Sequence, residues 1–322
     1  MSAMSPGRKL FCAFVLLAVH AAPGFTAPLG VSTAHTGLNG VTSLAFDSQR
    51  NLYATLRSPE NSVVKIPAGG GAPFTFATGF SDPLGIVCDS QGNLFVTNYT
   101  GDRVDKVTPA GTRTVFATGI TSPSPIAIDP QDNLYVGEYF TQLVKKITPA
   151  GVVSSYGSSG LGVGSNGMSR RLTALCYEPS GRLLCGTFGP GDGTGPYPIR
   201  SLPPGGGASS AVCVSSFQIT SILLGPSGVH YFANYQHETL SKSVLPAVPA
   251  LYAGAFNVPG FVDGSLTVAR FGLPHGMALD TDGLIYIADT TNDAIRVLND
   301  PLGGPTPTVQ SSWGRLKSLY RR

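Results

Sequence analysis

Residues 85–97 read GIVCDSQGNLFVT, and residues 125–137 read PIAIDPQDNLYVG. In each, an apolar run meets an acidic residue, crosses a short turn containing Gly or Asn, and returns as a second apolar run. Turn chemistry of this kind between alternating segments marks an antiparallel hairpin. The same grammar recurs from Ser43 (SLAFDSQRNLYAT), from Ala174 (ALCYEPSGRLLCG) and from Gly276 (GMALDTDGLIYIA), and from Ser221 (SILLGPSGVHYFA) with Gly225 where the acid stands elsewhere. The reference positions are Asp47, Asp89, Asp129, Glu178, Gly225 and Asp280, spaced 42, 40, 49, 47 and 55 residues apart. Six units of this length predict a repeat architecture.

Each unit continues alike. A third strand ends in a proline turn, as in VVKIPAGGG, RVDKVTPAG, LVKKITPAG, IRSLPPGGG and LSKSVLPAVP, and a fourth follows, as in FTFATG, TVFATG, VSSYGSSG, SAVCVSS and LYAGAF. Four short antiparallel strands joined by tight turns make one propeller blade, and one blade cannot bury both of its faces alone. The fold class is therefore all-β: a six-bladed β-propeller of four-stranded antiparallel blades over residues 29–313. Residues 30–37 (GVSTAHTG) read as a fourth strand without its first three, suited to complete the last blade. Residues 307–314 compete for that place, and the sequence leaves both open.

Composition agrees. The 322 residues include 41 Gly and 26 Pro, yet 42% are hydrophobic and 12% charged. So apolar a chain is not a disordered one. Gly or Pro this frequent also excludes a helical bundle, at a cost of ~1 to 3 kcal/mol each inside a helix. The net charge is +3, but six basic residues (Arg8, Lys9, Arg315, Lys317, Arg321 and Arg322) lie at the ends, leaving 15 basic against 18 acidic between them. That body offers no electrostatic footprint for nucleic acid.

Residues 1–22 carry Arg8 and Lys9 before the 13-residue run LFCAFVLLAVHAA, the pattern of a signal peptide cut near Ala21 to Gly24. The expected location is secreted, without stable membrane insertion, because that run is too short to span a bilayer comfortably, and an uncleaved signal anchor is the alternative. Residues 314–322 form a basic tail. Four cysteines remain in apolar segments as expected buried thiols, with Cys176 and Cys185 the pair best placed for a disulfide across one hairpin.

The run RFGLPHGMALDTDGLIYIADTTNDAIRVL, residues 270–298, resembles an NHL repeat, and PLGIVCDSQGNLFVTNYTGDRVDKVTPAG, residues 83–111, is similar. The resemblance extends over residues 30–313 and implies a six-bladed propeller related to the gluconolactonase-like and streptogramin lyase-like groups. It does not imply one activity, because such propellers serve as scaffolds, receptors and enzymes.

In a blade, the loop entering the first strand and the loop leaving the second lie on one face, around the central channel. The entering residues are Val41, Leu84, Ser124, Leu172, Thr220 and His275; the leaving ones are Asn98, Glu138, Thr187, Asn234 and Asp289. Convergent polar groups at such a mouth are the expected ligand site. His275 and Asp289, brought to one rim by their hairpin, are candidates for a general acid/base pair. Resemblance to streptogramin lyases implies a histidine and a carboxylate on one face with a divalent metal, which here extends the catalytic set to Glu138 and makes His237, Asn234 and Asp289 metal candidates. The ion would be calcium, magnesium or zinc. The competing reading gives Asp289 a structural role, bonded to nearby turn amides. Comparison with the gluconolactonase group offers oxygen ligands from Asn98, Asn234 and Asp289, but none of the six entering residues is an acid.

Asn98-Tyr99-Thr100 is a glycosylation sequon at Asn98. Two glycine-rich loops, residues 157–171 and 188–198, break the repeat spacing and read first as flexible insertions, with a lid or partner-contact loop using Arg170 and Arg171 as an anion contact the alternative. Two functions follow as expectations. The leading one is a secreted binding module contacting a protein, glycan or small-molecule ligand at the channel mouth. The alternative is a metal-assisted lyase or lactone hydrolase using His275, Asp289 and Glu138.

Overall fold

A computed structural model describes residues 29–164, 167–189 and 196–300. The segments read as signal peptide and basic tail, and the competing segment 307–314, lie outside the described residues. Six antiparallel sheets succeed one another around a central channel. Blade 1 comprises Val41–Phe46, Leu52–Leu56, Ser62–Ile66 and Phe74–Thr78, blade 2 Pro83–Cys88, Leu94–Asn98, Arg103–Val107 and Arg113–Thr118. Blade 3 comprises Pro123–Ile128, Leu134–Glu138, Leu143–Ile147 and Val153–Ser158, blade 4 Arg171–Tyr177, Leu183–Phe188, Tyr197–Leu202 and Ser210–Ser215. Blade 5 comprises Ile219–Leu224, His230–Asn234, Thr239–Ser243 and Ala250–Gly254, and blade 6 Pro274–Leu279, Ile285–Asp289 and Ala294–Asn299. Gly30–His35 supplies the outer strand of blade 6, paired antiparallel with Ala294–Asn299. The two-residue strand Gly207–Ala208 adds in parallel to the outer strand of blade 3.

The first strand of each blade abuts that of the next, and blade 6 abuts blade 1, so the ring is closed. Space there is tight: a Cβ at Gly276 would lie 2.6 Å from the Ser43 Cα. Alternation within strands divides side chains between neighbours. Leu94 and Val96 of blade 2 pack with Tyr53 and Val63 of blade 1, whereas Phe95 packs with Leu134 and Val136 of blade 3. Burying each such side chain is worth ~1.5 to 3 kcal/mol, and both faces are covered only in the assembled ring.

The recurring acid stabilises the hairpin turn. Asp129 accepts from the backbone of Gln131 and Asn133, each at 2.9 Å, from Asn133 Nδ2 at 2.9 Å, and from the Tyr135 hydroxyl at 3.0 Å. Asp47 repeats the pattern with Gln49, Asn51 and Tyr53. A carboxylate bonding the amides two and four residues on fixes the turn, so these acids serve structure. In blade 4, Glu178 instead takes Arg182 at 2.6 Å and His230 at 3.1 Å.

The expected free thiols are found, and the Cys176–Cys185 disulfide named as best placed requires a correction. Cys88, Cys176, Cys185 and Cys213 are free thiols. Leu175 pairs with Cys185 and Cys176 with Leu184, a register that puts the two cysteines on opposite faces of blade 4. Cys176 packs toward blade 5 and Cys185 toward blade 3, so they cannot bridge.

Candidate functional site

The two sets of loops meet at one channel mouth. The backbone N–H of Tyr99, just past the second strand of blade 2, donates to Asp82 O before the first, and Tyr139 donates likewise to Ser122 O. Below the rim, threonine hydroxyls join neighbouring inner strands: Thr97 to Ser124 O at 2.9 Å, Thr173 to Ile219 O at 2.6 Å and Thr220 to Pro274 O at 3.2 Å. The first strands of all six blades line a channel of about 570 Å³, apolar over much of its wall through residues such as Val87, Ile126 and Leu223.

The residues that close the second strands do not face this mouth. Asn98, Glu138, Thr187, Asn234 and Asp289 are all buried. Asn98 Oδ1 accepts the Ser81 N–H at 2.8 Å, Glu138 Oε1 that of Thr121 at 3.2 Å, and Asp289 Oδ1 that of Gly272 at 2.5 Å. Each polar end thus holds the incoming loop. Asp289 Oδ2 takes Arg296 at 2.8 Å and Asn292 at 2.9 Å.

The proposed catalytic set is therefore not assembled. Among the described residues no hydrogen bond joins His275 to Asp289, whose two oxygens are committed elsewhere, and Glu138 stands in blade 3, bonded to Thr121 and Thr141. The metal candidates are dispersed too. His237 Nδ1 bonds Asn257 Oδ1 at 3.0 Å with its ring stacked 4.6 Å from Phe256, and Asn234 bonds Thr239 and Ser241. His237, Asn234 and Asp289 each bond their own neighbours and not one another, and among the described residues no three His, Cys, Asp or Glu side chains converge. Asn98 is wholly buried and its Nδ2 donates to Val96 O at 3.2 Å, which leaves no room for a glycan in the folded chain.

His275 does line the channel, near the mouth, with its ring 5.7 Å from that of Tyr235 in an edge-on contact. Burial, aided by the nearby Arg57 charge, pushes its pKa down to about 4 against a hydrogen bond to the Thr42 backbone, so the imidazole is neutral at pH 7.

The side chains that do gather at the mouth come one residue later in the repeat. Arg57, Tyr99, Tyr139, Tyr235 and Thr290 stand immediately after the second strands and Phe188 ends that of blade 4, four of the six aromatic. Tyr99 and Tyr139 meet edge-on at 5.6 Å, Phe140 lies 4.9 Å from Tyr139, and Phe188 lies 6.1 Å from Tyr235. Arg171, opening blade 4, places its guanidinium 4.5 Å from the Phe140 ring and 5.8 Å from Tyr139. Arg57 makes a two-pronged contact with Asp82, both bonds 2.6 Å. Burial raises the pKa of Tyr99, Tyr139 and Tyr235, keeping their phenols protonated as donors. Of the two arginines expected at the loops, Arg170 turns inward onto the carbonyls of Leu161, Val163 and Pro196, and Arg171 stays at the rim. The in-phase aromatic was the signal available in the sequence.

Residues 271–298 match the NHL repeat family, and the chain is a six-bladed β-propeller with an NHL repeat in its last blade. No curated protein matches the sequence. Similar solved structures include an auxiliary nutrient binding protein from Bacteroides thetaiotaomicron, with 15% identity, a TM-score of 0.67 and coverage of 84% of this chain and 76% of that one. Virginiamycin B lyase from Staphylococcus aureus is similar with 13% identity, a TM-score of 0.53 and coverage of 84% and 98%. A chain of a nidogen/laminin complex is similar with 19% identity, a TM-score of 0.54 and coverage of 67% and 89%. At these identities the likeness is one of fold.

Proposed function

We propose that this chain is a secreted binding module whose channel-mouth loops hold its ligand. The observation that carries the reading is the rim of in-phase aromatic residues with Arg57 and Arg171, set above polar residues already committed to holding loops. Exposed aromatic and arginine side chains are those that contribute most to recognition. Neighbours of the same fold named as a nutrient binding protein and as part of a nidogen/laminin complex are consistent with it. Among the described residues no helix is long and apolar enough to cross a membrane. The test is a thermal-shift screen of the purified chain against neutral and acidic glycans and small ring compounds, repeated with a Tyr99→Ala/Tyr139→Ala variant. A stabilising ligand whose effect disappears in the variant supports the reading.

The lyase or hydrolase alternative keeps one supporting observation, the neutral His275 imidazole lining the channel. Metal analysis separates the two. A stoichiometric divalent ion, lost together with turnover in His275→Ala, would replace the binding reading with the enzymatic one.

A further inference from the structure

The rim carries a charge pattern as well as an aromatic one. Arg171 is half-buried, braced against Phe140 and Tyr139, and makes no ion pair with a described carboxylate. Arg57, from blade 1, spends Nε and Nη2 on Asp82, and its Nη1 carries no hydrogen bond to a described residue. Arg57 is held by Asp82, whose carbonyl takes the Tyr99 N–H at 3.1 Å, and the Tyr99 ring meets that of Tyr139 beside Arg171, so the two arginines border one mouth although they come from different blades. A guanidinium stacked on a ring is held in place before a ligand arrives, and its planar fork matches a carboxylate. Asp82 already balances one of the two positive charges. The remainder suits a monoanion better than a doubly charged phosphate. Beside the cations, Phe140 is 44% exposed and the rings of Tyr99 and Tyr139 are half-buried, leaving aromatic surface for a flat partner.

We propose that the mouth takes a monocarboxylate carried on a six-membered ring, with the carboxylate on Arg171 and Arg57 and the ring against Phe140, Tyr99 and Tyr139. This rests on the binding reading above and names its ligand class. An acidic sugar and an aromatic acid share this chemistry.

The test is calorimetric titration of the full chain at low salt with glucuronate and benzoate, each beside its uncharged counterpart, glucose and benzyl alcohol. We expect one acid to bind with a Kd below ~1 mM and its neutral counterpart to bind about tenfold more weakly or worse. Arg171→Gln, checked by an unchanged thermal midpoint, is expected to lose about tenfold in affinity for that acid, and Arg171→Lys less. Whichever acid binds identifies the source as sugar or aromatic. Equal binding of acid and neutral forms, or full affinity in Arg171→Gln, overturns the proposal. If only a neutral ring binds, and Tyr139→Ala abolishes it, the carboxylate inference falls while the binding reading stands. If no probe binds but the thermal-shift screen finds another rim ligand, the same division holds. If neither experiment finds a ligand, both fall.

Discussion

The Arg296 guanidinium donates to the Asp289 carboxylate at 2.8 Å, with neither side chain exposed to solvent. The same guanidinium reaches Asp263 at 2.6 Å and the carbonyls of Arg270 and Val262, each at 2.8 Å, while the rings of Phe261 and Phe271 cover it at 5.0 and 5.4 Å. The long loop between blades 5 and 6 is thereby tied to the last hairpin. Asp263 passes the link onward to Thr33 of the closing strand, accepting from its amide at 3.0 Å and its hydroxyl at 2.9 Å.

Replacing Arg296 should therefore loosen the ring's closure. Arg296→Met leaves Asp289 buried without its cation, and we expect a loss of about 3 to 5 kcal/mol in chemical denaturation. Adding Asp289→Asn removes the stranded charge and should recover part of the loss. A double variant no more stable than Arg296→Met would exclude this account.

Two groups should dominate the acid limb of stability, in different windows. His275 titrates at about 4 when folded, below its ordinary 6.5, so the unfolded chain takes up this proton first. Stability should fall as pH drops from 6.5 to 4, by about 3 kcal/mol in all, and level off below that. Glu178 behaves as a stabilised carboxylate: burial pushes its pKa up, but His230 and Arg182 outweigh this and hold it at about 2 instead of 4.5. Its contribution is complete above pH 4.5 and is lost from there down to 2. Stability curves of His275→Gln and Glu178→Gln should lose slope in the upper and lower windows respectively. The opposite assignment would contradict both.

Blade 5 shows why its turn lacks the acid. A Cβ at Gly225 would lie 2.6 Å from Tyr231 Cε2, and the Tyr231 hydroxyl, which in blades 1 and 3 has a turn aspartate as partner, goes to Asp300 at 2.7 Å. Gly225→Ala should cost about 1 to 3 kcal/mol through this overlap, since the backbone there is extended and accepts any residue. Adding Tyr231→Leu should relieve the clash. Thermal unfolding of the single and double variants that showed no such coupling would count against the explanation.

Reducing agents should leave the thermal midpoint unchanged, because the four described cysteines are free. Burial pushes the Cys88, Cys176 and Cys185 thiols up to about 12, whereas Cys213 is only half-buried. Alkylation of the native chain followed by mass spectrometry should mark Cys213 first and the other three only on unfolding. Early labelling of Cys176 or Cys185 would contradict their placement.

The blade grammar was open to reading because its causes are local. An acid that bonds the amides two and four residues on, and an alternating strand on either side, act within a dozen residues. The residues that reach the rim stand one position after the polar ones at the strand ends. Asn98, Glu138 and Asp289 look functional because they are polar at a strand end, yet successive strand residues point to opposite sides, and it is Tyr99 and Tyr139 that turn to the mouth. Of the histidines, His275 reaches the channel while His237 is stacked away on Phe256.

By itself, then, the sequence determined the number of blades, their strands and their turns, since each is written within one repeat. Only the tertiary structure decided which segment closes the ring, which polar groups are consumed in holding it, and which aromatic side chains meet the arginines. Those outcomes depend on partners such as Thr33 and Asp263, 230 residues apart, or Arg171 and Phe140 from different blades. Folding alone brings such groups together, and no local pattern of residues records their meeting.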